Sequence, residues 1–207
     1  QARTTFFDEQ LSITYGGRID HYDQFGTQKT PRLGIVFKPN EKSAIKLLYG
    51  NAFRAAISAE LVGEPPRLLG NENLEPEEID VYELVFMYDF GAWSTEVIFF
   101  ESQFDNAILV VQSNLPGVDG IYENTGESKA KGFEISTHWR SPRWDIKSSA
   151  SYAHSVDELT NREYILFPDY IFNIGVGYNW FEIDTEFFLN NRIHLNAYAG
   201  TYQLTAP

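Results

Sequence analysis

The chain has 207 residues, 43% of them hydrophobic, and its 16 Lys and Arg against 29 Asp and Glu give a formal charge of −13. That length suits one domain of ordinary size, and an acidic balance with no basic run argues against a nucleic-acid partner, because neutralising phosphates needs clustered Lys and Arg. With 0 Cys, disulfide scaffolds, thiolate metal sites and cysteine nucleophiles are excluded together.

The longest apolar stretches, about five residues, fall far short of the roughly 18 to 20 that a transmembrane helix needs. The aromatic content of 16 Phe, 12 Tyr and 4 Trp beside 1 Met suits strands better than helices. The opening Gln1-Ala2-Arg3-Thr4 has no Met, basic n-region or apolar h-region. The expectation is therefore a signal already removed, or a start inside a longer protein.

In chain order, alternation with period two runs through nine segments, 11–22, 31–38, 44–54, 78–90, 93–104, 128–140, 144–155, 170–178 and 181–195, and predicts nine strands. The 9 prolines fall between these segments or on a first residue, as befits a residue that cannot donate to a ladder. One face of each segment carries no charge, as in Leu11, Ile13, Tyr15 and in Tyr82, Leu84, Phe86, Tyr88. The other face carries Arg18, Lys46, Glu83, Glu96, Glu134, His138, Lys147 and Glu186. Alternation alone fits a soluble β-sandwich with an apolar core equally well.

Two further features separate the readings. Tight connections at 39–43, 91–92, 141–143 and 179–180 alternate with extended ones at 23–30, 55–77, 105–127 and 156–169, the pattern of short turns on one side and long loops on the other of an outer-membrane barrel. Aromatics also bracket the short turns (Phe37, Phe90, Trp93, Trp139, Trp144, Tyr178, Phe181), while Tyr49, Tyr82, Tyr152 and Tyr170 sit toward the long loops. From Tyr82 to Phe90 is roughly 26 Å at about 3.3 Å per residue, or about 20 Å of height once tilted, close to an apolar band of about 25 Å between two girdles. An odd count of strands leaves a barrel unclosed, and an unclosed edge leaves backbone groups unpaired in hydrocarbon. The fold class predicted is therefore all-β: an antiparallel up-and-down transmembrane β-barrel, present in part, with about nine strands of a larger barrel.

Particular residues then resemble a known family, the TonB-dependent outer-membrane receptors that take up siderophores, vitamin B12 and similar nutrients. Tyr49-Gly50-Asn51-Ala52-Phe53-Arg54-Ala55 followed by Glu60-Leu61 resembles a strand end reading "aFRaP" with "EL" six residues after the Arg; Ala56 stands where the family usually has Pro. Asn71-Glu72-Asn73-Leu74-Glu75-Pro76-Glu77 is similar to "NpnLkPE", and Val81-Tyr82-Glu83-Leu84-Val85-Phe86 to the strand that follows it. Asn124-Thr125-Gly126 with Lys131-Gly132-Phe133-Glu134, and earlier Tyr15-Gly16-Gly17-Arg18-Ile19-Asp20, resemble a late and an early strand. The resemblance implies a plugged barrel of about 22 strands in the bacterial outer membrane, with outer-membrane lipid around it. It also implies ligand capture at the extracellular loops, and import driven by the TonB complex acting on a plug domain that residues 1–207 do not match. Leu204-Thr205-Ala206-Pro207 does not resemble the aromatic-ended final strand of the family, so truncation at both ends is expected.

The chemistry to be assigned is sparse. His21, His138, His154 and His194 show no metal-ligand spacing, and Asp157-Glu158 beside His154 reads as solvated loop rather than a hydrolase constellation. The acidic group Glu72, Glu75, Glu77, Glu78 and Asp80 lacks the ligand order and central Gly of a calcium loop and reads as a solvated loop running into a strand. No enzyme, metal site or resident cofactor is expected. Arg54 and Arg67 flank the longest loop, and an Arg fork suits carboxylate, catecholate or phosphate, although ordering the loop base is an equal role for Arg54. Gly132 reads as a close backbone approach or bulge. Candidate ligand contacts are Arg54, Arg67, Tyr122 and Asn124, on loops 55–77 and 105–127. The function expected is energised uptake of a scarce nutrient such as a ferric siderophore, the alternatives being a passive outer-membrane porin or a soluble β-sandwich binding module.

Overall fold

The computed structural model describes residues 1–163, 168–183 and 185–195. Among these residues thirteen strands form one sheet, and ten of them make its antiparallel path. In order these are β1 (Ala2–Phe6), β2 (Leu11–Tyr22), β3 (Gly26–Asn40), β4 (Ser43–Arg54), β7 (Glu77–Asp89), β8 (Trp93–Gln112), β9 (Gly120–Arg140), β10 (Trp144–Asp157), β12 (Tyr170–Trp180) and β13 (Thr185–Leu195). Each strand pairs with its chain neighbours, and among the described residues nothing pairs β1 with β13, so the sheet is an open part of a barrel. The loop between β4 and β7 holds a short helix, α1 (Ser58–Val62), then β5 (Gly63–Glu64) and β6 (Leu68–Leu69), while β11 (Arg162–Glu163) pairs with the end of β10.

The register sorts the side chains by face. Phe86 lies opposite Ile45 and Val97, Val97 opposite Ile135, and Phe172 opposite Ala150 and Ile193, an uninterrupted apolar row. Glu83, Glu96, Glu134, Arg140, Asp145 and Glu186 are one residue out of step with that row and face the other way. The charged face is the concave one. It encloses a space of about 1180 Å³ lined by Lys46, Glu96, His138, Lys147, Asn173 and Arg192 among others.

Exposure settles the sandwich alternative. Phe86, Phe99, Phe172 and Leu189 on the apolar face are 40%, 48%, 39% and 70% exposed, and Ala56, Leu74, Val85, Ala107 and Ile108 are the buried hydrophobic residues among those described. A second sheet would have covered that face; an apolar surface of such extent needs an apolar solvent. Rings mark its two ends. Trp93 lies opposite Trp139 and Trp144 packs on Tyr178 at 4.6 Å beside the short turns. Tyr49 meets Tyr82 at 4.9 Å, and Tyr152 meets Tyr170 at 4.8 Å, toward the long loops.

The structure corrects the predicted boundaries. An additional strand, β1, precedes the first predicted one; its five residues hold one large apolar side chain, Phe6, too short a run to show a period, and its turn to β2 uses positive φ at Phe7, Asp8 and Glu9, with no glycine to signal it. Pro31 is not a first residue, since β3 starts at Gly26. It is tolerated because β4 reaches only as far as Arg32, leaving Pro31 paired with β2 alone, and Pro39 sits in the register shift between Phe37 and Asn40. The segment predicted as loop 105–127 is mostly ladder: β8 and β9 continue past irregularities between Phe104, Ala107 and Ile108, and only 113–119 connects them. Segment 181–195 opens with a 3₁₀ turn, Phe181–Ile183, before β13. Of the predicted loop 156–169, residues 164–167 lie outside the described set, as do 196–207.

Gly132 has a physical reason to be glycine. A Cβ there would stand 2.0 Å from the Tyr152 carbonyl oxygen and 2.9 Å from the ring of Phe100, its register partner on β8. The ring lies over the bare backbone, as aromatics do over strand glycines.

Candidate functional site

At the long-loop end the chain builds the hydrophobic cluster that the sheet lacks. Ala56 and Leu74 come from the loop between β4 and β7, Ile108 from β8, and Phe25, Leu61 and Tyr122 pack against them. This cluster is held by polar contacts that start at the barrel rim. Arg54, last in β4, faces Glu77, first in β7, and its Nε donates to the Glu77 carboxylate. Its two terminal nitrogens donate to both oxygens of Glu60 at 3.0 Å each. Glu60 can be reached because it lies in the first turn of α1, where it also accepts the Ile57 amide at 2.8 Å.

Glu77 is 7% exposed, and its second oxygen accepts the Ile108 amide at 2.8 Å. Burial pushes its carboxyl up, yet the Arg54 guanidinium and the Ile108 amide outweigh that and hold it below its ordinary value. Charge-assisted hydrogen bonds have this effect because they stabilise only the ionised form. Arg54 in turn is held protonated more firmly than usual, by Glu77 first and Glu60 second.

Four further ties join the two long loops. Asn124 on β9 accepts the Glu75 amide at 2.8 Å and donates to the Glu75 carbonyl at 2.9 Å and the Asn106 carbonyl at 2.7 Å. Asn71 donates to the Tyr122 carbonyl at 3.0 Å. Nearer the tip, β6 runs parallel to β9, with Leu68 beside Gly120 and Leu69 beside Ile121, and Arg67 meets Asp119 at 2.6 Å. A cleft of about 430 Å³ opens between this cluster and the β2–β3 turn, lined by Phe25, Gln28, Glu72, Glu75, Glu78 and Asn106 among others. Its amides and carboxylates offer hydrogen bonds to a polar ligand and a negative potential at the mouth.

All four candidate ligand contacts fall in this cluster, with different surroundings. Arg54 and Asn124 are engaged in the internal bonds just described, and the Tyr122 ring packs on the hydrophobic cluster. Arg67 stands out at the tip, its side chain 79% exposed and that of Asp119 61%. Glu60, Glu77 and Asn71, which hold the cluster together, were not among the candidates. Glu77 belonged to an acidic run read as solvated, and it is buried instead. No sequence signal marks it, since alternation starts the strand at 78 and the pairing of Arg54 with Glu77 exists only once the register is fixed. Of the histidines, His138 lies 3.1 Å from Asp145 on the concave face, and His154 is 3.7 Å from Glu163 rather than beside Asp157 or Glu158.

Comparison with known proteins agrees with this architecture. The chain matches the family model described as TonB dependent receptor-like, beta-barrel over residues 1–206. It is 26% identical over 191 residues to an iron-regulated outer membrane virulence protein of Vibrio cholerae, covering 82% of this chain and 29% of that protein. To a vitamin B12 transporter of Vibrio vulnificus it is 23% identical over 129 residues, 62% of this chain and 20% of that one. Among solved structures, the siderophore receptor PirA of Pseudomonas aeruginosa superposes with a TM-score of 0.76 at 19% identity, over 91% of this chain and 38% of that one. The ferric enterobactin receptor of the same organism gives 0.72 at 19%, over 82% and 28%. The chain thus spans less than a third of the length of these curated relatives. With its open antiparallel sheet, lipid-compatible convex face and full-length family match, it belongs to the TonB-dependent receptor β-barrels of the bacterial outer membrane.

Proposed function

We propose that the receptor carrying this chain captures a ferric siderophore at its extracellular loops and imports it with energy supplied by the TonB complex through a plug domain elsewhere in the receptor. The observation that carries the reading is the loop cluster itself. Loops that merely connected strands would not need a hydrophobic core, a half-buried ion pair and a stitched parallel ladder, whereas a binding surface has to be pre-shaped. In this reading Arg67 at the tip meets the anionic part of the ligand, Tyr122 and Asn124 shape the surface behind it, and Arg54 anchors its base. Iron chelates are favoured over cobalamin by the relative matched over 191 residues, whose name records iron regulation.

The test is uptake by iron-limited cells whose receptor lacks residues 55–76, 113–119 or both. Loss of siderophore binding with normal barrel assembly is the expected result. If the doubly deleted receptor takes up iron chelates, cobalamin and oligosaccharides as well as the intact one, these loops are not the capture surface. A passive porin would also conduct without the TonB complex, so uptake that persists in cells lacking TonB would favour that alternative.

A further inference from the structure

We propose that Asn124 is a positioning residue, through which the two long loops form one body that opens and closes cooperatively. The argument begins with the core. Ala56 and Leu74 belong to one loop, Ile108 and Tyr122 to the β8–β9 hairpin, so neither segment has a core of its own and each completes the other's. Ordering the residues between β4 and β7 alone would cost conformational entropy with little apolar burial to offset it. Ties between the two are therefore needed, and Asn124 makes two of them with one side chain, to both backbone groups of Glu75, while a third bond, to the carbonyl of Asn106, anchors it within its own hairpin.

Asn106 is the irregular point of the hairpin. It has φ of 57° and sits in the gap of the β8–β9 register between Phe104 and Ala107. Its carbonyl accepts from the Asn124 side-chain NH₂ at 2.7 Å. An asparagine suits the task because its short side chain carries an acceptor and two donors: one oxygen takes the Glu75 amide while the NH₂ serves two carbonyls. Glu75 thereby gains an edge-like pairing to the hairpin without belonging to a strand. The coupling is a property of the loop fold and does not depend on which ligand the receptor binds, so its failure leaves the proposed uptake untouched.

Hydrogen exchange on the receptor carrying this chain, in detergent and without ligand, tests it. The informative amides are those Asn124 does not touch: Leu61, bonded to Ile57, and Asn71, bonded to Glu60, in the first loop, and Gly120, bonded to Arg67, in the hairpin. Asn124→Ala is expected to raise exchange at all three by a common factor of about tenfold, as a shared opening requires. Asn124→Asp, which keeps the acceptor for the Glu75 amide and loses both donated bonds, is expected to fall between. Faster exchange confined to Glu75 and its neighbours, with Asn71 and Gly120 unmoved, would overturn the proposal. Should Asn124→Ala not assemble, Asn71→Ala removes one tie from the other side and is expected to raise exchange at Leu61 and Gly120 together; a rise limited to residues 71–73 would overturn it equally.

Discussion

The convex wall and the loop cluster of this chain obey opposite rules. On the wall, Phe86 and Phe99 are 40% and 48% exposed and lie opposite further apolar groups; in the cluster, Leu74 is 3% exposed and Glu77 is buried against an arginine. The wall holds its shape through backbone ladders and leaves its apolar side chains to the surroundings, as a sheet facing hydrocarbon can. The cluster stands in water, where apolar groups gain only by covering one another and a buried carboxylate must be paired. One sequence therefore changes its folding logic where the strands leave the tyrosines Tyr49, Tyr82, Tyr152 and Tyr170.

The largest test of this contrast is a charge placed on the wall. Phe86 lies midway between the two sets of rings, and Phe86→Arg is expected to cost about 2–4 kcal/mol, read as lost assembly into bilayers or a lower urea midpoint. Glu96→Gln, on the concave face beside Met87 in the same register, should change stability by no more than about 0.5 kcal/mol. Equal effects at the two positions would mean that the convex face is not the lipid face.

Glu77→Ala addresses the other region. It leaves the Ile108 amide without its acceptor and removes half of the partners of Arg54, for an expected local loss of about 1–3 kcal/mol. Hydrogen exchange should rise in 55–76 and at Ile108 while the urea midpoint of the barrel stays in place. A fall of that midpoint by a similar amount would show that wall and cluster unfold as one unit.

Acid should distinguish the regions more gently. Because the folded Glu77 carboxyl is held below its ordinary value of 4.5, the stability it contributes is fully present above that value and is lost as pH falls through it toward the folded pKa. Loop exchange, corrected for its intrinsic pH dependence, is therefore expected to be flat from neutral pH to about pH 5 and to accelerate below. The wall ladder between Phe86 and Val97 should show no such step, and the step in the loops should vanish in Glu77→Gln.

The same contrast explains what could be read from the sequence. Strands 78–90 and 144–155 were legible because lipid on one side and water on the other impose a strict period of two. Beyond the tyrosines that pressure ends. The run Ala107-Ile108-Leu109-Val110-Val111 does not alternate, so the continuation of β8 leaves no period in the sequence, and β1 is only five residues long with one large apolar side chain. Arg54 was legible from its motif, but its partner Glu77 lies across a loop that only tertiary pairing closes, and its burial comes from Ile108 and the surrounding cluster rather than from neighbours in the chain. Asn124 stands out in the sequence only as part of a motif and a candidate ligand contact, while the three bonds its side chain makes reach residues 18 and 49 positions away.

The smallest structural effect and the sharpest functional one meet at Arg67. Its pair with Asp119 is short, 2.6 Å, but the two side chains are 79% and 61% exposed, and such pairs are worth about 0–1 kcal/mol. The tip is also held by the parallel ladder of β6 on β9 and by the Asp119 amide bonded to the Arg67 carbonyl at 2.6 Å, neither of which needs the guanidinium. Arg67→Glu should accordingly leave barrel assembly and loop exchange within about twofold of the parent. Its charge matters differently, because the guanidinium is largely exposed at the loop tip, where an incoming ligand meets the receptor. Reversing it leaves two acidic side chains, at 67 and Asp119, facing an incoming anion at the tip, so affinity for an anionic ferric chelate should fall several-fold while a neutral one is barely affected. The difference should shrink as salt is raised, since an exposed charge acts over roughly the Debye length of about 8–10 Å. Equal losses for both ligands would make Arg67 a structural residue of the tip, and no loss for either would remove it from the capture surface.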